Sequence, residues 1–242
     1  MADPPVLLVH GFASSFERNW REPGWVELLT EGGRQVRGVD LLGHGSAPKP
    51  HDPIAYTDLE SAIVEQLDDG EAIDAIGFSL GAGLLLAVAA QRPQSFRRLV
   101  VAGVGANLFA GNDGGGRKGP SAGALALARA IETGQAAEGA PAAAGAFIRF
   151  SQGAGNDPLA LAACLRRPTT SLQRASLAAV TVPVLVVLGD GDGAGPADPL
   201  LDALPDARLV TLGGTDHFGT PKDFRFVDAA LEFLGAVPGG GH

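Results

Sequence analysis

Ser79 lies in the run Gly77-Phe78-Ser79-Leu80-Gly81, and its surroundings make it the residue in this chain best placed to do chemistry. An apolar stretch, Ala72 to Ile76, leads into it, and a helical stretch, Ala82 to Ala90, leads out. A strand-to-helix turn tight enough to project a side chain leaves almost no room for the neighbouring side chains. Glycines at 77 and 81 meet that demand because they lack a Cβ. The amides after the serine open a helix and point at any negative charge that develops nearby. A hydroxyl presented in this way is a weak nucleophile until a base takes its proton. Of five histidines, His217 is the best base, because it follows the last expected strand within Gly213-Gly214-Thr215-Asp216-His217. Such a base needs a carboxylate on its other ring nitrogen to fix tautomer and orientation. Asp192, after the fifth expected strand, is the preferred acid, with Asp190 two residues away as the alternative. Asp216 adjoins the histidine, but sequence neighbours rarely align for that hydrogen bond. An oxyanion needs fixed donors. The amide of Leu80 is one candidate and that of Phe12, just past His10-Gly11, is the second. The Phe12 side chain, with Phe78 and Phe218, is expected to line the substrate pocket.

These residues need a scaffold that gathers them. Short apolar runs at 6–9, 35–40, 73–76, 98–102, 183–188 and 207–212 alternate with helical patterns, including Leu59, Ile63 and Leu67 within 58–67, and Phe226, Ala230 and Phe233 within 223–234. Strands buried on both faces and separated by helices imply a mostly parallel α/β sheet of about six strands, with helices on both faces. Between the fourth and fifth strands, residues 107–180 carry no strong strand signal. They contain a glycine-rich loop at 111–120 and alanine-rich helical stretches at 122–132, 142–150, 158–166 and 171–179. The expected organisation is a core of 1–106 and 181–242 with a small helical cap at 107–180, followed by a loose tail from 235. Ligands in open α/β sheets bind beyond the carboxyl ends of the strands. His10, Asp40, Ser79, Asp192 and His217 all fall at or just after such ends.

Composition narrows the class. At 242 residues and 45% hydrophobic, the chain can bury a full core. A net charge of −9 argues against nucleic acid and against anionic membrane surfaces. The single cysteine, Cys164, permits no intrachain disulfide and has the context of a small buried hydrophobe. No Cys/His cluster has zinc-ligand spacing, and neither a metal nor another cofactor is expected. No secretory signal and no membrane span are expected, which makes the anticipated location cytoplasmic.

The chain resembles the α/β-hydrolase superfamily, specifically its compact esterases, C–C hydrolases and cofactor-free haloperoxidases. The resemblance rests on His10-Gly11-Phe12, on Asp40-Leu41-Leu42-Gly43-His44-Gly45-Ser46, on Gly77 to Gly81, on Gly189-Asp190-Gly191-Asp192 with Pro196 beyond, and on Asp216-His217. It implies the order Ser79, Asp192, His217 for the triad. In the family the acid lies three residues after the strand-ending glycine, which favours Asp192 over Asp190. It also implies that His10 orders the oxyanion loop and that the block from Asp40, including His44, is structural. His51 and His242 look like surface and tail residues. The family's leading antiparallel hairpin is not expected here, because the first strand begins almost at once. The short Ala- and Gly-rich cap suggests a mobile lid.

The leading expectation is a serine hydrolase that cleaves a small-to-medium carboxylic ester through an acyl-enzyme. The partner is a small ester or related acyl substrate, and no oligomeric state is implied. The same triad would serve a C–C hydrolase or a thioesterase. Arg166, Arg167 and Arg174 in the cap would favour acid-bearing C–C substrates if they bound a carboxylate, against the plainer reading of solvated helix faces. A receptor or scaffold that keeps the fold without turnover is the competing class.

Overall fold

The computed structural model describes residues 3–67, 70–109, 117–136, 144–153, 155–170 and 172–239. Six parallel strands form one sheet: β1 (Val6–Val9), β2 (Val36–Val39), β3 (Ile73–Phe78), β4 (Phe96–Ala102), β7 (Val184–Gly189) and β8 (Ala207–Leu212), in the order β2-β1-β3-β4-β7-β8. A two-residue antiparallel ladder, β5 (Arg117–Lys118) with β6 (Thr169–Thr170), lies apart from it. The helices are α1 (Trp25–Glu31), α2 (Ser61–Val64), α3 (Leu80–Gln91), α4 (Ala122–Thr133), α5 (Ala144–Ser151), α6 (Pro158–Leu165), α7 (Asp198–Leu201) and α8 (Phe224–Leu234). Among the described residues, no helix is long and apolar enough to cross a membrane.

The strands differ in the way their positions demand. β1, β3 and β7 are buried at every residue, and they sit inside the sheet with helices on both sides. The edge strands β2 and β8 are only partly covered. On one face α3 packs with Leu84, Leu85, Leu86 and Val88 buried. Nearly its whole circumference is apolar, as befits a helix enclosed between the sheet and outer segments. On the other face lie Trp20, Trp25 and α8, whose Phe226, Val227, Ala230, Leu231 and Leu234 form one stripe. Each large side chain fully buried there stabilises the fold by roughly 1.5–3 kcal/mol. Asp223 caps α8 by accepting from the Arg225 N–H at 3.0 Å.

One polar group lies inside the sheet. Asp74, in the middle of the run Ala72–Ile76, is fully buried on β3. It accepts hydrogen bonds from Arg34 Nη2 at 2.5 Å and Arg97 Nη2 at 2.9 Å. Arg34 also donates to the carbonyls of Pro4 and Leu234, so the cluster ties both chain ends to the amino-terminal edge of the sheet.

Several sequence expectations shift. The helical pattern at 58–67 condenses to α2, Ser61–Val64, although Leu59 and Ile63 are buried as the spacing requires. Phe233 of α8 is only partly buried and lies under Arg208, 4.7 Å from the guanidinium carbon. The stretch expected as helix at 171–179 is a 3-10 helix, Arg174–Ala179. The segment expected to lack strands contributes the β5–β6 ladder. Residues 111–116 of the expected glycine-rich loop, the starts of the helices expected at 142 and 171, and His242 lie outside the described residues.

Candidate active site

The turn at the end of β3 forces Ser79 into a conformation that side chains seldom adopt, with φ 52° and ψ −113°. Strain of this kind costs on the order of 1–3 kcal/mol and persists only where the surroundings over-determine it. Here they do. The Ser79 N–H donates to Ala102 O at 2.8 Å. A Cβ on Gly81 would strike the carbonyls of Val9 and His10, and one on Gly77 would strike Ala82 at 2.8 Å. The end of β1 and the start of α3 therefore touch through backbone.

His217 reaches this serine from the loop after β8. Its Nε2 lies 3.0 Å from Ser79 Oγ, and its Nδ1 lies 2.8 Å from Asp192 Oδ2. An ionised carboxylate can only accept, so the proton sits on Nδ1, and Nε2 is left to accept from the serine hydroxyl. The Asp192 side chain is 1% exposed, and its second oxygen accepts from the Ala194 N–H at 2.8 Å. Asp190 does something else: its carboxylate takes the Gly214 N–H at 2.7 Å. Asp216 accepts from the Gly219 N–H at 2.8 Å and shapes its own loop.

The two loops are bound to one another and to α8. Gly191 N–H donates to Thr215 O at 3.1 Å, and a Cβ on Gly189 would collide with that carbonyl. Arg225 Nη2 donates to Gly213 O and to Thr215 Oγ1, each at 3.0 Å, and also holds Asp223. The Arg225 guanidinium keeps the Asp223 carboxyl well below the usual carboxylate range, with a further hydrogen bond from Thr215.

His10 and His44 stand behind the site rather than in it. Burial pushes the His10 imidazole below its ordinary value. In its neutral form Nδ1–H donates to Gly11 O at 2.8 Å, and Nε2 accepts from the Leu41 N–H at 3.1 Å. Asn19 Oδ1 accepts from the Gly11 N–H at 2.9 Å, which fixes the other side of the same loop. Phe12 N–H has no acceptor among the described residues, and Leu80, first in α3, leaves its N–H without an intrahelical acceptor. Burial and the neighbouring His10 press His44 down to about 3. Burial works against the charge on Asp40, but hydrogen bonds from Ser46 and Phe16 outweigh it and hold the group below the usual carboxylate range.

Ser79 and His217 open into a cavity of about 680 Å³, its mouth included. Phe12, Phe78 and Phe218 are among the residues that line it. Phe147 and Phe150 from α5 line it too, with ring centroids 5.2 and 5.3 Å from Phe218. The helices between β4 and β7 therefore complete the pocket. They are held to the rest by Asn156 Nδ2, which donates to Ala13 O at 3.1 Å, and by His51 Nε2, 2.8 Å from Asp157.

Comparison with known proteins agrees with this architecture. The family model for the α/β hydrolase fold matches residues 4–113. Over that stretch the chain is similar to α/β hydrolases. A 2-hydroxymuconate semialdehyde hydrolase of Pseudomonas sp. (strain CF600) is 31% identical over 105 residues, 41% of this chain and 36% of that protein. A pyrrolizixenacetamide deacetylase of Xenorhabdus hominickii is 29% identical over 102 residues, 41% of this chain and 37% of that protein. The matched stretch thus spans little over a third of either relative's length. The fold extends over the whole chain: MenH from S. aureus superposes with a TM-score of 0.73 at 18% identity, covering 97% of this chain and 94% of that one.

Within this α/β-hydrolase fold, the three arginines weighed as carboxylate ligands make contacts elsewhere. Arg166 is paired with Glu132, Arg167 donates to Cys164 O at 2.7 Å, and Arg174 donates to Pro199 O at 2.9 Å. None of the three lines the cavity. The cations that do are Arg18 and Lys222. Gly103, at the end of β4, was also invisible in sequence: it has φ +68°, and a Cβ there would meet Phe78 Cε2 at 2.7 Å and His217 Cε1 at 3.1 Å. Neither Arg18 nor Gly103 belongs to a motif. Each is recognised only by what packs against it.

Proposed function

We propose that this chain is a serine hydrolase that cleaves a small-to-medium carboxylic ester through an acyl-enzyme on Ser79. The observation that carries the reading is the continuous hydrogen-bonded series Ser79–His217–Asp192, at 3.0 and 2.8 Å, opening into an aromatic cavity. Ser79 Oγ bonds to the ester carbonyl carbon as its proton passes to His217 Nε2. The carbonyl oxygen takes up negative charge between the amides of Phe12 and Leu80. Asp192 steadies the imidazolium. The carbon–oxygen bond to the alcohol then breaks, and His217 returns the proton to the leaving oxygen. Water, deprotonated by the same imidazole, attacks the acyl-enzyme and releases the acid. Residues 107–180 act as a cap whose α5 supplies the pocket's outer wall.

A fluorophosphonate probe tests this directly. One equivalent of label is expected on Ser79, with none in Ser79→Ala and strongly reduced labelling in His217→Ala. Folded wild-type protein that takes no label, and hydrolyses no p-nitrophenyl ester, would remove the enzyme reading and leave a ligand-binding protein of this fold.

A further inference from the structure

Arg18 lies on the single π-type turn Glu17–Arg21, beyond the loop that follows β1. Helical turns of this kind recur at functional sites. Arg18 lines the same cavity as Ser79 and His217. Its Nη1 is buried and has no hydrogen-bond partner among the described residues. The adjacent carboxylate, Glu17, pairs with Arg21 instead, at 3.1 Å. Two other charged residues line the cavity, Glu22 and Lys222, and both are exposed. With Arg18 they leave the cavity lining one net positive charge. The protein around it carries a net charge of −9.

A buried donor on a cation is expensive to leave unmade. The protein keeps this one in place rather than letting it turn to solvent. Gly153, just past α5, packs so closely on the guanidinium that a Cβ there would collide with Nη1 and the guanidinium carbon. Phe12, Phe147, Phe150 and Phe218 give the same pocket a partly aromatic wall. A planar guanidinium with an unpaired donor beside aromatic rings matches a carboxylate, which such a group can hold with two parallel hydrogen bonds.

We infer that Arg18 is an anion-binding residue and that the substrate carries a carboxylate beside the scissile bond, as in the half-ester of a short dicarboxylic acid. The ester rests on the function proposed above; the carboxylate rests on the cavity alone.

The test compares mono-p-nitrophenyl glutarate with neutral p-nitrophenyl pentanoate. Wild type is expected to prefer the glutarate half-ester in kcat/KM. In Arg18→Gln the ratio of the two kcat/KM values should fall about 10- to 100-fold, mainly through KM for the anionic ester, as expected for one charge-assisted pair. Arg18→Lys should fall in between, because it keeps the charge and loses the fork. Gly153→Ala, which keeps Arg18 but displaces it, should lower the ratio as well. An unchanged ratio in folded Arg18→Gln and Arg18→Lys would overturn the inference and leave the esterase reading intact. Binding of the half-ester to Ser79→Ala, measured by calorimetry with and without Arg18→Gln, separates the two claims. Arg18-dependent binding without turnover by wild type would sink the ester chemistry and keep the carboxylate site. Binding indifferent to Arg18 would sink the site.

Discussion

Replacing Gly103 by alanine tests whether the geometry around His217 matters as the packing implies. The new Cβ would lie 2.7 Å from Phe78 Cε2, 3.2 Å from Phe78 Cδ2 and 3.1 Å from His217 Cε1. Carbon atoms rest at about 3.5–4.0 Å. Phe78 must therefore retreat by about 0.8 Å and the imidazole by at least about 0.4 Å. The two rings are themselves in contact, with centroids 4.9 Å apart, so Phe78 has little freedom to yield without carrying His217 with it. The imidazole has little freedom either, because it is held at 2.8 Å by Asp192 and at 3.0 Å by Ser79. A displacement approaching 1 Å in a catalytic group can cost about 10²-fold in rate. We expect kcat for p-nitrophenyl butyrate to fall about 10- to 100-fold, with KM changed less. The backbone contributes separately: alanine at φ +68° costs about 1–2 kcal/mol of stability. Urea unfolding measures that loss, and the rate of fluorophosphonate labelling reports the alignment of the nucleophile without turnover. A folded Gly103→Ala protein that keeps kcat within threefold of wild type would refute the reasoning.

Two further outcomes follow from other parts of the structure. Asp192→Asn should lower kcat about 10³- to 10⁴-fold with little change in unfolding midpoint, since the imidazole then lacks the partner that fixes its tautomer. Asp190→Asn should cost far less, and the reverse ranking in steady-state kinetics would reassign the acid. Acid should also weaken the fold through the buried histidines. The His44 imidazole sits at about 3 in the folded protein because of burial, against about 6.5 in the unfolded chain. Its contribution is therefore complete above pH 6.5 and is lost as pH falls, because the unfolded state binds the extra proton. Between pH 7 and pH 5 the loss from His44 is about 2 kcal/mol, and His10, shifted in the same direction, adds to it. Urea midpoints at the two pH values should differ less in His44→Asn, which keeps a donor for Leu42 O; equal pH dependence in both proteins would contradict this account.

Much of the scaffold was legible because its signals are local. Val6–Val9 and Val184–Leu188 are apolar without interruption, and only strands buried on both faces read that way. The order of Ser79, Asp192 and His217 along the chain, each after a strand, was equally plain, since the sheet delivers strand ends to one rim. Boundaries were less plain. The pattern of Leu59, Ile63 and Leu67 overstates α2, because burial at two of the three positions needs only one helical turn. Asp74 sits in a run that otherwise reads as apolar, and its partners are 40 residues upstream at Arg34 and 23 downstream at Arg97.

What the sequence determined by itself was the steric logic of the turn at Ser79. Glycine at 77 is required because a Cβ there would strike the helix that follows at once, and glycine at 81 because one there would strike the end of β1 alongside. What only the tertiary structure decided was which side chains share the space above that turn. Asp192 and Asp190 are indistinguishable in composition, and they separate because one carboxylate points at an imidazole and the other at a loop amide. Phe147, Phe150 and Arg18 belong to no motif, and they line the cavity from two separate segments of the chain, while Gly103 backs Phe78 and His217 from a third. Their roles come from contacts made across long sequence separations, and such contacts leave no periodicity or spacing in the residues that make them.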